Sequence, residues 1–278
     1  MKQILVVDDD ASTRHLVQGL LKKAGHSVTA CADGASALEQ LAAARYDLVL
    51  LDVWMPELDG IAVLGRMREL PQTPPVIVMT TDDTPQTLLR AVREQAYQFI
   101  NKPVDGAALL ELVERVLAAP TAPARFKVIS AREDWVELVA PCTREAAARI
   151  ESFITKLDAA LSEAVRDSVG HAFHELLLNA VEWGGRLDPH REVRIACVRT
   201  PRLLIYRIAD PGPGFRFEDL THSALSNPEE APFAHTEVRE QQGIRPGGFG
   251  LLMTKAAVDD LVYNEAQNEV LFVKYLDA

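Results

Sequence analysis

Positive charge, cysteine and long apolar runs are all scarce in this chain. Its 278 residues carry 29 Lys and Arg against 40 Asp and Glu, a formal charge of −11 at pH 7. The deficit holds on both sides of residue 120, so neither half offers the basic surface that neutralises a phosphate backbone, and no nucleic-acid partner is expected. The three cysteines, Cys31, Cys142 and Cys197, stand far apart and never in a CxxC pair, which excludes a disulfide framework and a zinc knuckle. No stretch reaches the roughly 18 apolar residues of a membrane span. The opening MKQILVVDDD meets acids after four apolar residues, unlike a secretory leader, so a cytoplasmic protein with no membrane partner is expected. What is present is a globular composition, 48% hydrophobic and 25% charged, which excludes a disordered chain or a coiled-coil rod. At about 150 residues per domain, the length predicts two cores.

The apolar pattern divides the chain. Up to residue 118, short apolar runs alternate with amphipathic stretches: ILVV (4–7), helix near 13–24, SVTAC (27–31), helix near 35–44, DLVLLD (47–52), helix near 60–69, PVIVMT (75–80), helix near 84–94, QFIN (98–101) and helix 106–118. Strands apolar on both faces, each followed by a helix, predict a five-stranded, doubly wound parallel α/β domain over 1–119. Pro120 to Ala124, with two prolines among small residues, reads as a stiff linker. Over 125–278 the rhythm changes. FKVIS (126–130) and WVELVA (135–140) read as paired strands, followed by helices over 144–160 and 162–183, a hairpin of 193–198 with 202–210, a helix near 248–258, and strands 261–264 and 269–276. This is an α+β domain, interrupted by a Gly- and Pro-rich segment over 212–248 that is too long for a plain connection.

In a doubly wound sheet, ligands gather at the carboxyl ends of the strands. Those ends carry Asp8-Asp9-Asp10, Asp52, Thr80-Thr81 and Lys102-Pro103. Carboxylates crowded together call for a divalent cation, and Mg2+ takes hard oxygens together with a phosphate oxygen, so phosphoryl chemistry is expected. The run VVDD (6–9), the segment D-V-W-M-P-E-L-D-G (52–60), Thr80 after PVIVM, and Lys102-Pro103 resemble the receiver domain of bacterial response regulators, a flavodoxin-like fold. The resemblance implies that Asp52 accepts a phosphoryl group from an upstream histidine kinase. It also implies that Asp8 and Asp9, with Asp52 and the Trp54 carbonyl, hold Mg2+, that Thr80 contacts the phosphoryl group and Lys102 neutralises it, and that Phe99 is the aromatic switch partner of Thr80. Thr81 and Gln95 depart from the small residue and the glycine usual at their positions.

The second domain carries H-E-L-L-L-N (174–179), which places Glu175 and Asn179 one turn apart on one helix stripe, with Leu176, Leu177 and Ala180 turned away. It is not a zincin motif, since Leu178 stands where a second ligand is needed. Asp210-Pro-Gly212-Pro-Gly214 follows a strand, where glycines admit a flat ligand and a carboxylate accepts from an exocyclic amine. Gly247-Gly248-Phe-Gly250 opens a helix, whose bare N–H groups favour phosphate oxygens.

In that order these boxes resemble the GHKL, or Bergerat-fold, ATP-binding domain, a two-layer α+β fold. GGFGLLMTKAAVDDLVYNEAQNEVLFVKYL (247–276) is most similar to the anti-sigma-factor serine kinases. The resemblance implies Glu175 as general base, Asn179 as Mg2+ ligand and Asp210 as the adenine reader. Gly212 and Gly214 would line the base pocket, Gly247, Gly248 and Gly250 the phosphates, and 215–246 would form an ATP lid offering Arg239 or Arg245 to the γ-phosphate. Trp183 stands where the family often has His, and helices 143–167 hold no histidine phosphoacceptor. The expected whole is a response regulator whose output domain uses Mg-ATP to phosphorylate Ser or Thr of a STAS-type anti-anti-sigma protein, with a sigma factor further downstream. The alternative is a non-catalytic ATP-binding module that sequesters its partner. Helices 106–118 and 144–160 offer surfaces for a homodimer.

Overall fold

The computed structural model describes residues 1–70, 72–82, 84–118, 126–215 and 249–276. The chain packs as two units, Met1–Pro123 and Ala124–Ala278. The linker expected at 120–124 lies outside the described residues.

Unit one runs β1 (Gln3–Val7), α1 (Ala11–Lys23), β2 (Ser27–Cys31), α2 (Gly34–Ala43), β3 (Leu48–Asp52), α3 (Gly60–Met67), β4 (Val76–Thr80), α4 (Pro85–Arg93), β5 (Gln98–Asn101) and α5 (Gly106–Ala118). The strands form one parallel sheet in the order β2-β1-β3-β4-β5. β3 and β4 are buried along their whole length, which explains apolar runs with no polar alternation. On one face, Ile4, Val6, Leu48, Leu50, Ile77 and Met79 pack with Val17 and Leu21 of α1 and with Leu109 and Val113 of α5. Short polar residues start the helices: Asp10, Asp33, Asp59 and Thr84 each accept a backbone N–H of the first turn.

Unit two runs β6 (Lys127–Ala131), β7 (Trp135–Pro141), α6 (Arg144–Leu157), α7 (Glu163–Asn179), a π-helical turn (Ala180–Gly184), β8 (Glu192–Arg199), β9 (Leu203–Ala209), α8 (Gly250–Ala257), β10 (Asp260–Tyr263) and β11 (Glu269–Tyr275). Its strands form an antiparallel sheet, β10-β11-β9-β8-β7-β6. Alternate residues are buried, among them Val136 and Leu138, Ile195 and Cys197, Leu204, Tyr206 and Ile208, Val270 and Phe272. The Tyr206 ring stacks on Phe272 at 4.9 Å and meets Phe173 of α7 at 5.5 Å, joining sheet to helix layer.

The helix expected over 162–183 is α-helical only as far as Asn179. There the spacing widens, and Gly185 N–H donates to the Ala180 carbonyl at 2.8 Å. Tertiary contact explains the change: a Cβ on Gly185 would lie 2.3 Å from Cys142 Sγ, and one on Gly184 2.1 Å from Asp210 Cγ. The chain leaves α7 pressed against two neighbours that local periodicity does not reveal.

One buried ionic centre ties the layers together. Asp158, at the carboxyl end of α6, accepts from the Arg199 guanidinium of β8 and, at 2.6 Å, from the Tyr206 hydroxyl of β9. Burial pushes the Asp158 carboxyl up, while the Arg199 charge and the Tyr206 hydroxyl pull it back. Removing that hydroxyl leaves a buried carboxylate short of a donor. Tyr206→Phe is expected to cost about 1–3 kcal/mol of stability in urea unfolding; an unchanged midpoint would show that the Arg199 pair alone satisfies Asp158.

Candidate functional site

Parallel register brings the strand ends of unit one side by side. Asp8 follows β1 and is fully buried, and Asp52 ends β3 at 3% exposure. Lys102, just after β5, places Nζ 2.8 Å from Asp8 Oδ2 and 2.8 Å from Asp52 Oδ2. Burial raises the Asp52 pKa and the neighbouring Asp8 adds to the rise, while the Lys102 ammonium opposes it. Burial alone would lower Lys102, yet its two carboxylate partners leave it raised. One carboxylate oxygen from each of Asp8, Asp9 and Asp52 lies within 4.8 Å of the others, a hard-oxygen set that fits Mg2+.

The acidic run divides its labour. Asp10 is the N-cap of α1, accepting Thr13 N–H at 2.8 Å and the Thr13 hydroxyl at 2.7 Å, and the Thr13 bonds hold its carboxyl below the usual range. Arg14, which the motif does not flag, donates from Nη1 to the carbonyls of Asp8 at 2.6 Å and Asp9 at 2.8 Å and so pins the backbone carrying both pocket acids. The signal available in the sequence is an arginine in the first turn of the helix after the acids. Gly60 is equally constrained, because a Cβ there would lie 2.0 Å from the Asp52 carbonyl oxygen.

Thr80 ends β4, buried, but its hydroxyl bonds are to the following loop. It donates to the Asp82 carbonyl at 3.1 Å and accepts Asp82 N–H at 3.0 Å. The Asp82 carboxylate in turn accepts the Thr87 hydroxyl at 2.7 Å and Thr84 N–H at 2.9 Å. The structure therefore brings Asp8, Asp9, Asp52 and Lys102 together and ties Thr80 to Asp82. Phe99, on β5, is buried at 7% exposure.

In unit two, Glu175 and Asn179 share the half-buried stripe of α7, with Leu176, Leu177 and Ala180 buried behind them. Neither side chain has a hydrogen-bond partner among the described residues. Glu175 lies over the start of α8, its Oε2 2.0 Å from where a Cβ on Gly250 would be. At the other end of the α7–π turn, the Asp210 carboxyl occupies space left open by Gly184 and Gly212. Burial raises its pKa, opposed by the Gly212 N–H and the Arg191 charge. Gly214, at φ +84°, backs onto the Ala266 carbonyl, where a Cβ would come within 1.6 Å. Arg239, Arg245, Gly247, Gly248 and the segment 216–246 lie outside the described residues. His171 and His174 are exposed, and His174 Nδ1 lies 3.0 Å from Glu151 Oε1 of α6.

These sites belong to two classes of signalling domain, an acid-pocket receiver and a GHKL-type ATP-binding fold. Residues 4–114 match the response regulator receiver domain family and residues 140–274 the histidine kinase-like ATPase domain family. The chain therefore carries a response regulator receiver domain followed by a histidine kinase-like ATPase domain. Over 115 residues it is 40% identical to the transcriptional regulatory protein ZraR of Escherichia coli K12, a match covering 41% of this chain and 26% of ZraR. It is 35% identical over 117 residues to the DNA-binding transcriptional regulator NtrC of Rhizobium meliloti, covering 42% and 24%. The solved receiver domain of NtrX from Brucella abortus is 37% identical, covers 41% of this chain and 97% of that one, and superposes with a TM-score of 0.39. The chain thus spans about a quarter of the length of these curated relatives. Among the described residues, no helix is long and apolar enough to cross a membrane.

Three substitutions test the packing of these sites. Lys102→Met leaves two buried carboxylates facing each other and raises the folded pKa of Asp52 further above its unfolded value. Stability is then retained below the unfolded pKa and lost as pH rises through the folded one. In EDTA, the deficit against wild type should therefore grow from pH 5 to pH 7.5, reaching about 3–5 kcal/mol in urea unfolding; a pH-independent deficit would count against the pairing. Gly184→Ala drives a methyl into Asp210 and should lose about 1–3 kcal/mol. Gly170→Ala on exposed α7 surface, with nothing within 4 Å, should gain about 0.5–1 kcal/mol in the same urea unfolding.

Proposed function

We propose that the protein is a phosphorylation-controlled response regulator whose second unit binds Mg-ATP and phosphorylates Ser or Thr of a partner protein of the STAS, anti-anti-sigma type. The observation that carries the kinase reading is Glu175, a half-buried carboxylate with no hydrogen-bond partner among the described residues, held over the first residue of α8. A carboxylate with no donor among the described residues keeps its oxygens open to an incoming hydroxyl. In this reading, Glu175 accepts the proton of the incoming hydroxyl as its oxygen attacks the γ-phosphorus. The bond between the γ-phosphorus and the bridging oxygen breaks, and ADP leaves with that oxygen. Asp210 accepts a hydrogen bond from the adenine amine, Asn179 is the metal-facing amide, and Gly250 lets the backbone approach the phosphates. Mg2+, when bound with ATP, offsets the phosphate charge.

In the first unit, the proposed phosphoacceptor is Asp52, whose carboxylate oxygen attacks the phosphorus of a phosphohistidine on an upstream histidine kinase, and the histidine nitrogen departs. Lys102, already 2.8 Å from Asp52, sits where it offsets the charge of the incoming group. Asp8, Asp9 and Asp52 supply the oxygens for the Mg2+ this step needs. The Thr80 hydroxyl must leave Asp82 to reach a phosphoryl group on Asp52, which makes the Thr80–Asp82 contact the proposed two-state element, with Phe99 as its aromatic partner. The DNA-binding activity named for NtrC belongs to a protein of which this chain matches 24%, and the net negative charge of both halves favours a protein partner instead.

The test incubates the full chain with γ-labelled ATP, Mg2+ and STAS-type proteins, with and without beryllofluoride as a mimic of the Asp52 phosphoryl group. Acid-stable label on the partner is expected, reduced about 10²–10⁴-fold in Glu175→Ala, with a beryllofluoride-dependent rate. ATP binding with no label on any partner in either state would replace the kinase with a nucleotide-dependent sequestering module.

A further inference from the structure

The turn that carries Asp210 is held from two sides by residues outside the glycine motif. Arg191, just before β8, donates from Nη1 to the Gly184 carbonyl at 3.1 Å and from Nη2 to the Pro211 carbonyl at 2.9 Å. Asn268, in the β10–β11 turn, donates from Nδ2 to the Gly212 carbonyl at 2.9 Å, and its own carbonyl accepts Asp210 N–H at 2.9 Å. Asn268 is itself oriented, since Asn264 Nδ2 donates to its Oδ1 at 2.8 Å and its N–H donates to Asn264 Oδ1 at 3.1 Å. Within the turn, Gly212 N–H donates to Asp210 Oδ1 at 2.7 Å.

Within this network one carboxylate oxygen of Asp210 stays open among the described residues. Asp210 Oδ1 is fixed by Gly212, whereas Oδ2 has no hydrogen-bond partner among the described residues. The carboxyl cannot swing to share its load, because Gly184 and Gly212 confine it: a Cβ on the first would lie 2.1 Å from Asp210 Cγ and one on the second 2.7 Å from Oδ1. A guanidinium that bonds two carbonyls at once sets the distance between the π turn and the Pro211 peptide, and so sets the width of the gap that confines the carboxyl. Pre-orientation of one acceptor in a half-buried site is a means of selecting a ligand by a single donor.

We propose that Arg191 and Asn268 are positioning residues that give the second unit its selectivity for a 6-aminopurine nucleotide, by clamping the Asp210 turn so that one carboxylate oxygen meets the exocyclic amine. The proposal rests on the reading of Asp210 as the adenine-binding carboxylate. Neither residue touches the ligand. Their effect is on discrimination between bases and not on phosphate binding, which the proposed function assigns to Gly250 at the start of α8.

The test measures by calorimetry, in Mg2+ buffer, the affinities of the full chain for ATP and for purine riboside triphosphate, which lacks only the 6-amino group. Wild type should prefer ATP by about 10- to 100-fold, the worth of one hydrogen bond to a charged acceptor. Arg191→Leu and Asn268→Ala should each lower ATP affinity several-fold, leave the analogue's affinity unchanged and so shrink the preference, and Arg191→Lys should restore it only in part. Equal losses for both nucleotides, or no loss for either, would overturn the clamp. Should Arg191→Leu fail to fold by circular dichroism, Arg191→Lys and Asn268→Ala carry the same comparison. Asp210→Asn separates the two readings. If it leaves ATP affinity unchanged and wild type shows no preference, the assignment of Asp210 falls and the clamp with it. If it abolishes a preference that the clamp variants keep, the clamp alone falls.

Discussion

Close approach of a polar group to a glycine backbone is the constraint on which both sites depend. The Asp52 carbonyl lies against Gly60, the Glu175 carboxylate against Gly250, and the Asp210 carboxyl between Gly184 and Gly212. At each of these contacts a Cβ would fall under 3 Å from the opposing atom, so the acid can occupy its position only because its neighbour has no side chain. This ties together elements distant in sequence: β3 to α3, α7 to α8, and the end of β9 to the π turn after α7. It also explains why α7 departs from α-helical spacing at Ala180. The wider turn sets Gly184 and Gly185 against Asp210 and Cys142, contacts that outweigh the continued helical ladder.

Electrostatics divide the two units. In the first, Lys102 sits between Asp8 and Asp52, so the buried acids are partly compensated before any ligand arrives. That compensation opposes the rise that burial imposes on the carboxyl of the proposed phosphoacceptor. In the second, Glu175 has no such partner among the described residues, and the cation nearest in effect to Asp210, Arg191, spends its donors on carbonyls. A compensated carboxylate suits attack on phosphorus, and an uncompensated one suits proton acceptance. The contrast is consistent with the different roles proposed for the two acids.

The motif boxes point at the residues that converge, but not at those that hold them. Asp8, Asp52 and Lys102 are legible because a parallel sheet collects its strand ends, and the strand pattern is strong. Arg14, Arg191 and Asn268 are not legible, since each donates to a backbone carbonyl of another segment, and Asp82 is hidden because its own backbone groups engage Thr80. A side chain that binds backbone has no partner residue type to leave a pattern. The Asp158–Arg199–Tyr206 centre is hidden for a related reason: its members come from three elements, and each alone reads as a cap, a strand-end charge or an aromatic core residue. Even within the acidic run, only contact distinguishes Asp10 as a helix cap from Asp8 as a buried pocket acid.

Local periodicity by itself determined the two architectures. Runs apolar on both faces can be buried only in a helix-covered parallel sheet, and alternating runs only in a sheet with one covered face. The order of the acid, hydroxyl, lysine and glycine boxes likewise carried the resemblance to the two families, which the family matches bear out. Tertiary structure alone decided where α7 stops being α-helical, which hydroxyl Thr80 engages, and which oxygen of Asp210 is left open. Those outcomes depend on distances between segments far apart in the chain, and such distances are set by packing and closed by hydrogen bonds to backbone groups that every residue carries alike.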